Sequence, residues 1–191
     1  GTGEGPEVDI AVDPLEGTTL CAKNMPGAIA TLAMADAGTL LHAPDCYMDK
    51  IAIGPGYPKG TIDLDAPADQ NIISLAQAKG VKPSEITAIL LDRPRHADII
   101  AAVRKTGAAV SLISDGDVAG VIHCAEPKTG IDIYLGIGGA PEGVLMLIAT
   151  FGKERRLGRL GDVFHERPHR VTPELFCEPE EPAAIGRHAG R

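Results

Sequence analysis

From residue 68 to residue 152 the hydrophobic pattern alternates between the helical and the strand period, and no other feature of the chain narrows its possible folds as much. "ADQNIISLAQAKG" (68–80) spaces its apolar residues along one helical face and closes on Gly80. "ITAILLD" (86–92) is a mostly apolar run of strand length, suited to burial on both faces. Helix "HADIIAAVRKTG" (96–107), strand "AAVSLIS" (108–114), helix "GDVAGVIHCA" (116–125), strand "IDIYLGIG" (131–138) and helix "APEGVLMLIATFG" (140–152) follow in turn. The alternation predicts an α/β fold: a largely parallel sheet layered by helices, with right-handed crossovers and ligands outside the C-terminal strand ends. The polar clusters discussed below fall at such ends.

The first third of the chain reads differently. "VDIAVD" (8–13) is a strand running into "DPLEGTTL" (13–20). "GAIATLAMAD" (27–36) and "GTLLHAPD" (38–45) read as two strands joined at Asp36–Ala37–Gly38, with "DKIAIGPG" (49–56) as a third, and the simplest arrangement is an antiparallel meander. Beyond Lys153 periodicity weakens into a segment rich in Arg, Glu, Pro and His, expected to be poorly packed or disordered. The organisation expected is therefore 1–66 with the acidic strand motif and the meander, 67–152 as the β-α-β layered part, and 153–191 as a divergent tail. The chain begins without Met and reaches a core-like strand within ten residues, which reads as a fragment.

At 191 residues and 44% hydrophobic content, the chain has enough apolar material for one α/β domain. No apolar run approaches the roughly 18–20 residues of a spanning helix, and the acidic start lacks a signal peptide's basic region, so a cytoplasmic protein without a membrane partner is expected. Cys21, Cys46, Cys124 and Cys177 lack zinc or disulfide spacing and read as buried thiols. The net charge of −8 is uneven: residues 1–152 hold 10 Lys/Arg against 19 Asp/Glu. An acidic body suits hard divalent cations and repels nucleic acid, and three Tyr, three Phe and no Trp leave few stacking platforms for bases.

In "DPLEGTT", Pro14 fixes its own φ and pushes Asp13 toward extended backbone, so Asp13 can end the strand with Glu16 on the same side of a tight turn. Two carboxylates and the Leu15 carbonyl could supply three oxygens to Mg²⁺ or Mn²⁺, while Thr18 could orient water; a capped helix start fits the same letters. "RPRH" (93–96) sets Arg93 and Arg95 at the entrance to a helix, an anion site or a solvated basic turn, and His96 reads as a capping or packing residue. "SDGD" (114–117) is a helix N-cap by composition, and Glu142 an ordinary first-turn glutamate. "GIGGAPEG" (136–143) lacks full GxGxxG spacing and a following acidic residue, which disfavours dinucleotide binding; no GxxxxGK[ST] or GxSxG occurs.

"DPLEGTT" resembles the DPxEGT signature of class II fructose-1,6-bisphosphatases, within the lithium-sensitive metal-dependent phosphatase superfamily. "MPGAIATLAMADAGTLLHAPDCYMDKIAIGPG", "TAILLDRPRHADIIAAVRKTG", "SLISDGDVAG" and "DIYLGIGGAPEGV" resemble the same family in order and spacing, over roughly residues 1–150. The resemblance implies a layered α-β-α-β-α sugar-phosphatase fold, incomplete at its N-terminus, and a homo-oligomer. It implies Mn²⁺ or Mg²⁺ on Asp13, Glu16 and Glu142, and a catalytic role for Asp13, Glu16 and Thr18, the last aligning water. Substrate contacts are implied for Glu16, Gly17, Thr18, Tyr47, Arg93, Pro94, Arg95, Asp115, Gly116, Asp117 and Gly139. Arg93 departs from the family, which commonly has Lys there. The implied reaction is hydrolysis of the 1-phosphate of fructose 1,6-bisphosphate, some members also taking sedoheptulose 1,7-bisphosphate, in gluconeogenesis or carbon fixation. The family has an N-terminal region supplying further metal-binding carboxylates, so an inactive relative that binds sugar phosphate or joins a complete subunit is a second reading. An inositol-phosphate-type phosphatase is a third, less well matched by Glu16 and "GGAPEG".

Overall fold

The computed structural model describes residues 3–40, 42, 43 and 46–151. The tail expected over 153–191 lies outside them. Among the described residues six strands and five α-helices follow in the order β1 (Val8–Glu16), α1 (Thr18–Ala22), β2 (Ile29–Asp36), β3 (Tyr47–Ile53), α2 (Ala68–Lys79), β4 (Thr87–Leu91), α3 (Ala97–Lys105), β5 (Ala109–Ile113), α4 (Asp117–Ala125), β6 (Ile133–Gly139) and α5 (Ala140–Phe151). The β-α alternation read from the sequence is present, with ends shifted by a residue or two.

The main sheet has the order β3-β6-β4-β5. β4 runs parallel to both β5 and β6, and β3 is antiparallel to β6. Alternate residues of each strand enter opposite cores. Ala88 and Leu90 of β4, Ile51 and Ile53 of β3, and Ile133 and Leu135 of β6 pack with Ile72 and Leu75 of α2 and Ile100 and Val103 of α3. Ala52, Ile89 and Tyr134, one residue out of step, pack with Val118 and Val121 of α4 and Leu145 and Met146 of α5. This is why "TAILL" carries no polar face: β4 lies between two strands and is covered on both sides. Each fully buried Leu or Ile contributes on the order of 1.5–3 kcal/mol.

β1 and β2 form a separate two-stranded antiparallel sheet on the far side of α4 and α5, where Ala33 is buried and Ala11 partly buried against that second core. The layers are thus α2/α3, the main sheet, α4/α5 and β1/β2.

Two expectations for the first third are overturned. No meander forms, because β3 pairs with β6 in the main sheet. Met48, Lys50, Ile51, Ala52 and Ile53 are all buried, a two-sided burial that a half-exposed hairpin strand cannot supply. The expected strand 38–45 is also absent among the described residues: 38–40, 42 and 43 form turn and coil. Bonds involving side chains replace a ladder there, with Thr39 Oγ1 donating to the Asp36 carbonyl at 2.6 Å and Leu40 N–H to Asp9 Oδ2 at 3.1 Å. Of the thiols expected to be buried, Cys124 is, while Cys21 is exposed and Cys46 half-buried; Cys177 lies outside the described residues.

Candidate active site

The quoted acidic motif is not the end of a strand but a bulge inside one. β1 continues through Pro14 to Glu16, and its register against β2 slips between Asp13↔Thr31 and Glu16↔Ile29. Three steps on β1 oppose two on β2, so one residue is extra, at a point where Pro14 offers no N–H to the ladder. Leu15 is turned outward at 41% exposure and Glu16 inward at 5%. Gly17 then turns the chain into α1 with φ at 82°, a left-handed conformation that glycine adopts without strain.

Glu16 and Asp115 are tied across the two layers by an exchange of helix caps. The Val118 N–H at the start of α4 donates to Glu16 Oε1 at 2.9 Å, and the Thr19 N–H at the start of α1 donates to Asp115 Oδ2 at 2.8 Å. Burial pushes the Glu16 carboxyl up to about 7, against the pull of the Val118 N–H, and the carboxylates of Asp13 and Glu142 push in the same direction as burial. The capped-turn reading of these motifs is therefore realised, each cap belonging to the other motif's helix.

The C-terminal ends of β4, β5 and β6, the N-terminal end of antiparallel β3 and the bulge of β1 surround a cleft of about 190 Å³. Glu16, Tyr47, Arg93 and Arg95 line it, as do Asp115, Gly116 and Asp117 after β5 and Gly139 and Glu142 after β6. Tyr47 pairs in register with Gly139. Arg95 donates from Nε to the Ile137 carbonyl at 2.7 Å and lies 5.2 Å over the Tyr47 ring. Arg93 Nη2 approaches Asp115 Oδ1 at 3.4 Å. Pro94 is not in the wall but begins the 3₁₀ turn Pro94–His96, which holds Arg95 and is preceded by Arg93. Gly17 and Thr18 are also outside the wall, at the start of α1. Asp13, likewise outside it, stands beside Glu16, helps to raise its carboxyl, and accepts the Leu15 N–H at 3.0 Å.

His96 packs, in keeping with its sequence reading. It is fully buried, its Nδ1 lies 2.8 Å from the Leu91 carbonyl, and the Ile137 N–H donates to Nε2 at 2.8 Å. Those bonds pin the end of β4 to β6 and so fix where the arginine turn starts.

Two polar residues of the site were not singled out in the sequence. Lys50, 4% exposed, reaches Asp117 Oδ2 at 3.0 Å and Glu142 Oε2 at 3.2 Å. Tyr134, fully buried, donates its hydroxyl to Asp117 Oδ1 at 2.7 Å, and burial beside that carboxylate raises the phenol well above its ordinary range. A signal for Lys50 was present: Met48, Lys50 and Ala52 share one face of a strand that is otherwise apolar there.

The donors at the bulge are all hard oxygens, which suits Mg²⁺ or Mn²⁺, and Thr31 Oγ1, on the residue opposite Asp13, is buried without a hydrogen-bond partner. The fit is that of part of a site. Among the described residues no three carboxylate, imidazole or thiol groups come close enough to enclose an ion. Asp13 and Glu16 are brought together, and Glu142 is held by Lys50.

Layered sheets and helices, with carboxylates and arginines gathered at the strand ends, place the chain among layered α/β proteins. Residues 1–153 match the family described as bacterial fructose-1,6-bisphosphatase, glpX-encoded, and the chain belongs to that family. It is 49% identical over 149 residues to the D-fructose 1,6-bisphosphatase class 2/sedoheptulose 1,7-bisphosphatase of Synechococcus sp. (strain CC9902), a match covering 78% of this chain and 44% of the relative. The protein of the same name from Prochlorococcus marinus (strain MIT 9303) is 49% identical over the same length and coverage. The chain thus spans less than half the length of these relatives. Among the described residues no helix is long and apolar enough to cross a membrane.

Proposed function

We infer that the chain contributes to a metal-dependent phosphatase site that hydrolyses the 1-phosphate of fructose 1,6-bisphosphate, and sedoheptulose 1,7-bisphosphate as a second substrate. The observation that carries this reading is one cleft lined by Arg93 and Arg95 together with the carboxylates of Glu16 and Glu142, in a chain of this family. Arg93 and Arg95 supply guanidinium donors to a substrate phosphate, and Arg95 is oriented for it by the Ile137 carbonyl and the Tyr47 ring. Asp115 and Tyr47 present groups that can hydrogen-bond sugar hydroxyls, while Gly116 and Gly139 let backbone approach the ligand. Thr18, at the start of α1, offers a hydroxyl to a water beside the bulge. Glu16, protonated below about neutral pH when no cation is present, can hold or release a proton at Oε2 while Oε1 accepts the Val118 N–H. Asp13 and Glu16 would supply part of a Mg²⁺ or Mn²⁺ site, with Glu142 as the further carboxylate the family resemblance implies, and the ion would supply Lewis-acid polarisation of the phosphate and a nucleophilic water at neutral pH.

The partial carboxylate set among the described residues favours a second reading, in which the chain binds the sugar bisphosphate without turning it over. Phosphate release from fructose 1,6-bisphosphate with Mn²⁺ or Mg²⁺, alongside calorimetric binding of the sugar bisphosphate, separates the two. Release by the 191-residue chain, lowered at least about 100-fold by Glu16→Ala, supports hydrolysis. Binding without release selects the second reading, and neither binding nor release overturns both.

A further inference from the structure

Asp117 is a residue that family resemblance assigns to the substrate, yet both of its carboxylate oxygens are already occupied. Oδ2 takes the Lys50 ammonium and Oδ1 the Tyr134 hydroxyl, at 4% exposure for Asp117 and in full burial for Tyr134. The backbone around the network is fitted to it. A Cβ at Gly138 would overlap Asp117 Oδ2 and come within 2.9 Å of Lys50 Nζ, and one at Gly136 would lie 2.6 Å from the Tyr134 hydroxyl. The glycines of "GIGG" thus make room for a buried polar network rather than for a nucleotide. The network has one arm that leaves the core: Lys50 Nζ also holds Glu142 Oε2 at 3.2 Å, and the Glu142 side chain is 42% exposed at the cleft.

We propose that Lys50 is a positioning residue of this site, anchored by Asp117 and Tyr134 and fixing the carboxylate of Glu142 for the cation. A carboxylate on a long, half-exposed side chain samples several rotamers, and ordering it before the ion arrives lowers the cost of binding. Lys50 cannot itself be a ligand while protonated, since an ammonium has three donors and no acceptor. Asp117 acts on Glu142 through Lys50. The inference rests on the metal-phosphatase reading above.

The sign of one measurement tests it. Lys50→Met removes a positive charge beside the site, which on electrostatics alone tightens binding of a cation; loss of positioning weakens it. Mn²⁺ is titrated into the full 191-residue chain and free Mn²⁺ is read by electron paramagnetic resonance. The dissociation constant is expected to rise about 10–100-fold in Lys50→Met, the range seen when a group orienting a metal ligand is removed. Since Lys50→Met leaves Asp117 buried beside an apolar chain, Lys50→Met/Asp117→Asn is measured as well. It removes both charges, keeps the net charge of the pair, and is expected to weaken Mn²⁺ to the same degree. Unchanged or tighter Mn²⁺ binding in whichever of these variants retains the wild-type circular dichroism spectrum overturns the proposal, with the phosphatase reading intact. Absence of Mn²⁺ binding by the wild-type chain overturns the metal reading itself and the proposal with it.

Discussion

At the scale of single residues, Glu16 carries the most consequence because burial and charge act on it together. Its carboxyl stands at about 7 in the folded chain against an ordinary 4.5. A folded-state value above the unfolded one means that the folded protein keeps a proton the unfolded chain gives up. The corresponding stability is fully present below about pH 4.5 and is lost as pH rises through 7. The shift is worth about 3 kcal/mol. In chelator-treated protein, urea midpoints are expected to fall between pH 5 and pH 8, and Glu16→Gln, which keeps an acceptor for Val118, is expected to flatten that slope. An unchanged slope in the Gln variant would assign the pH dependence to other groups. Gly138 is constrained by packing and not by its backbone angles. Gly138→Ala is expected to cost about 1–3 kcal/mol by urea unfolding, because the methyl group forces the Lys50–Asp117 pair apart.

Among the elements, β1 and β2 reverse the usual distribution of large and small side chains. Ile10, Val12, Leu32 and Met34 point outward at 55–63% exposure, while Ala33 is buried and Ala11 partly so against the α4/α5 layer. Small residues on the inner face let the thin sheet lie close to α5. Ile10→Thr and Leu32→Thr are therefore expected to change the stability of this chain by no more than about 0.5 kcal/mol, whereas Ala33→Leu costs about 1–3 kcal/mol by overpacking. Thermal or urea unfolding of the three variants checks the inversion, and a larger loss from either Thr variant than from Ala33→Leu would refute it. These strands also show where sequence reading stopped. Alternation in "VDIAVD" and "GAIATLAMAD" revealed two strands and the period-2 faces, since each face repeats over several residues. It could not reveal which strand β3 pairs with, because "YMDKIAI" owes its place to β6, more than 80 residues later. The same limit hid Lys50: a strand lysine is ordinarily solvent-facing, and only the distant Asp117 and Glu142 make its burial affordable. The βα units were legible because each brings its strand, helix and following strand together within about 25–30 residues of local periodic sequence.

For the whole molecule, the cleft depends on two layers being held in one position relative to each other. The bulge and α1 belong to the β1/β2 layer, and Asp115 and α4 to the main-sheet side. The bonds joining them are reciprocal: Val118 N–H to Glu16, Thr19 N–H to Asp115. Both acidic motifs could be recognised separately in the sequence as caps, but their exchange could not, since partners 96 and 102 residues apart leave no local signature. Two bonds spanning one interface in opposite directions restrict its sliding more than either alone, so breaking one loosens the geometry of the other. The losses are expected to be less than additive. Glu16→Ala and Asp115→Ala should each cost about 1–2 kcal/mol, the usual value of a lost helix cap, and the double variant little more than the larger single. The cycle is read by urea unfolding in chelator at pH 5.5, where Glu16 is mostly protonated and still accepts the Val118 N–H at Oε1, so that the cost of burying its charge does not enter. Strict additivity would mean that the two layers are positioned by the apolar core of α4 and α5 alone. Coupling of about 0.5 kcal/mol or more would mean that the acidic motifs hold the cleft open in its working shape before any ligand reaches it.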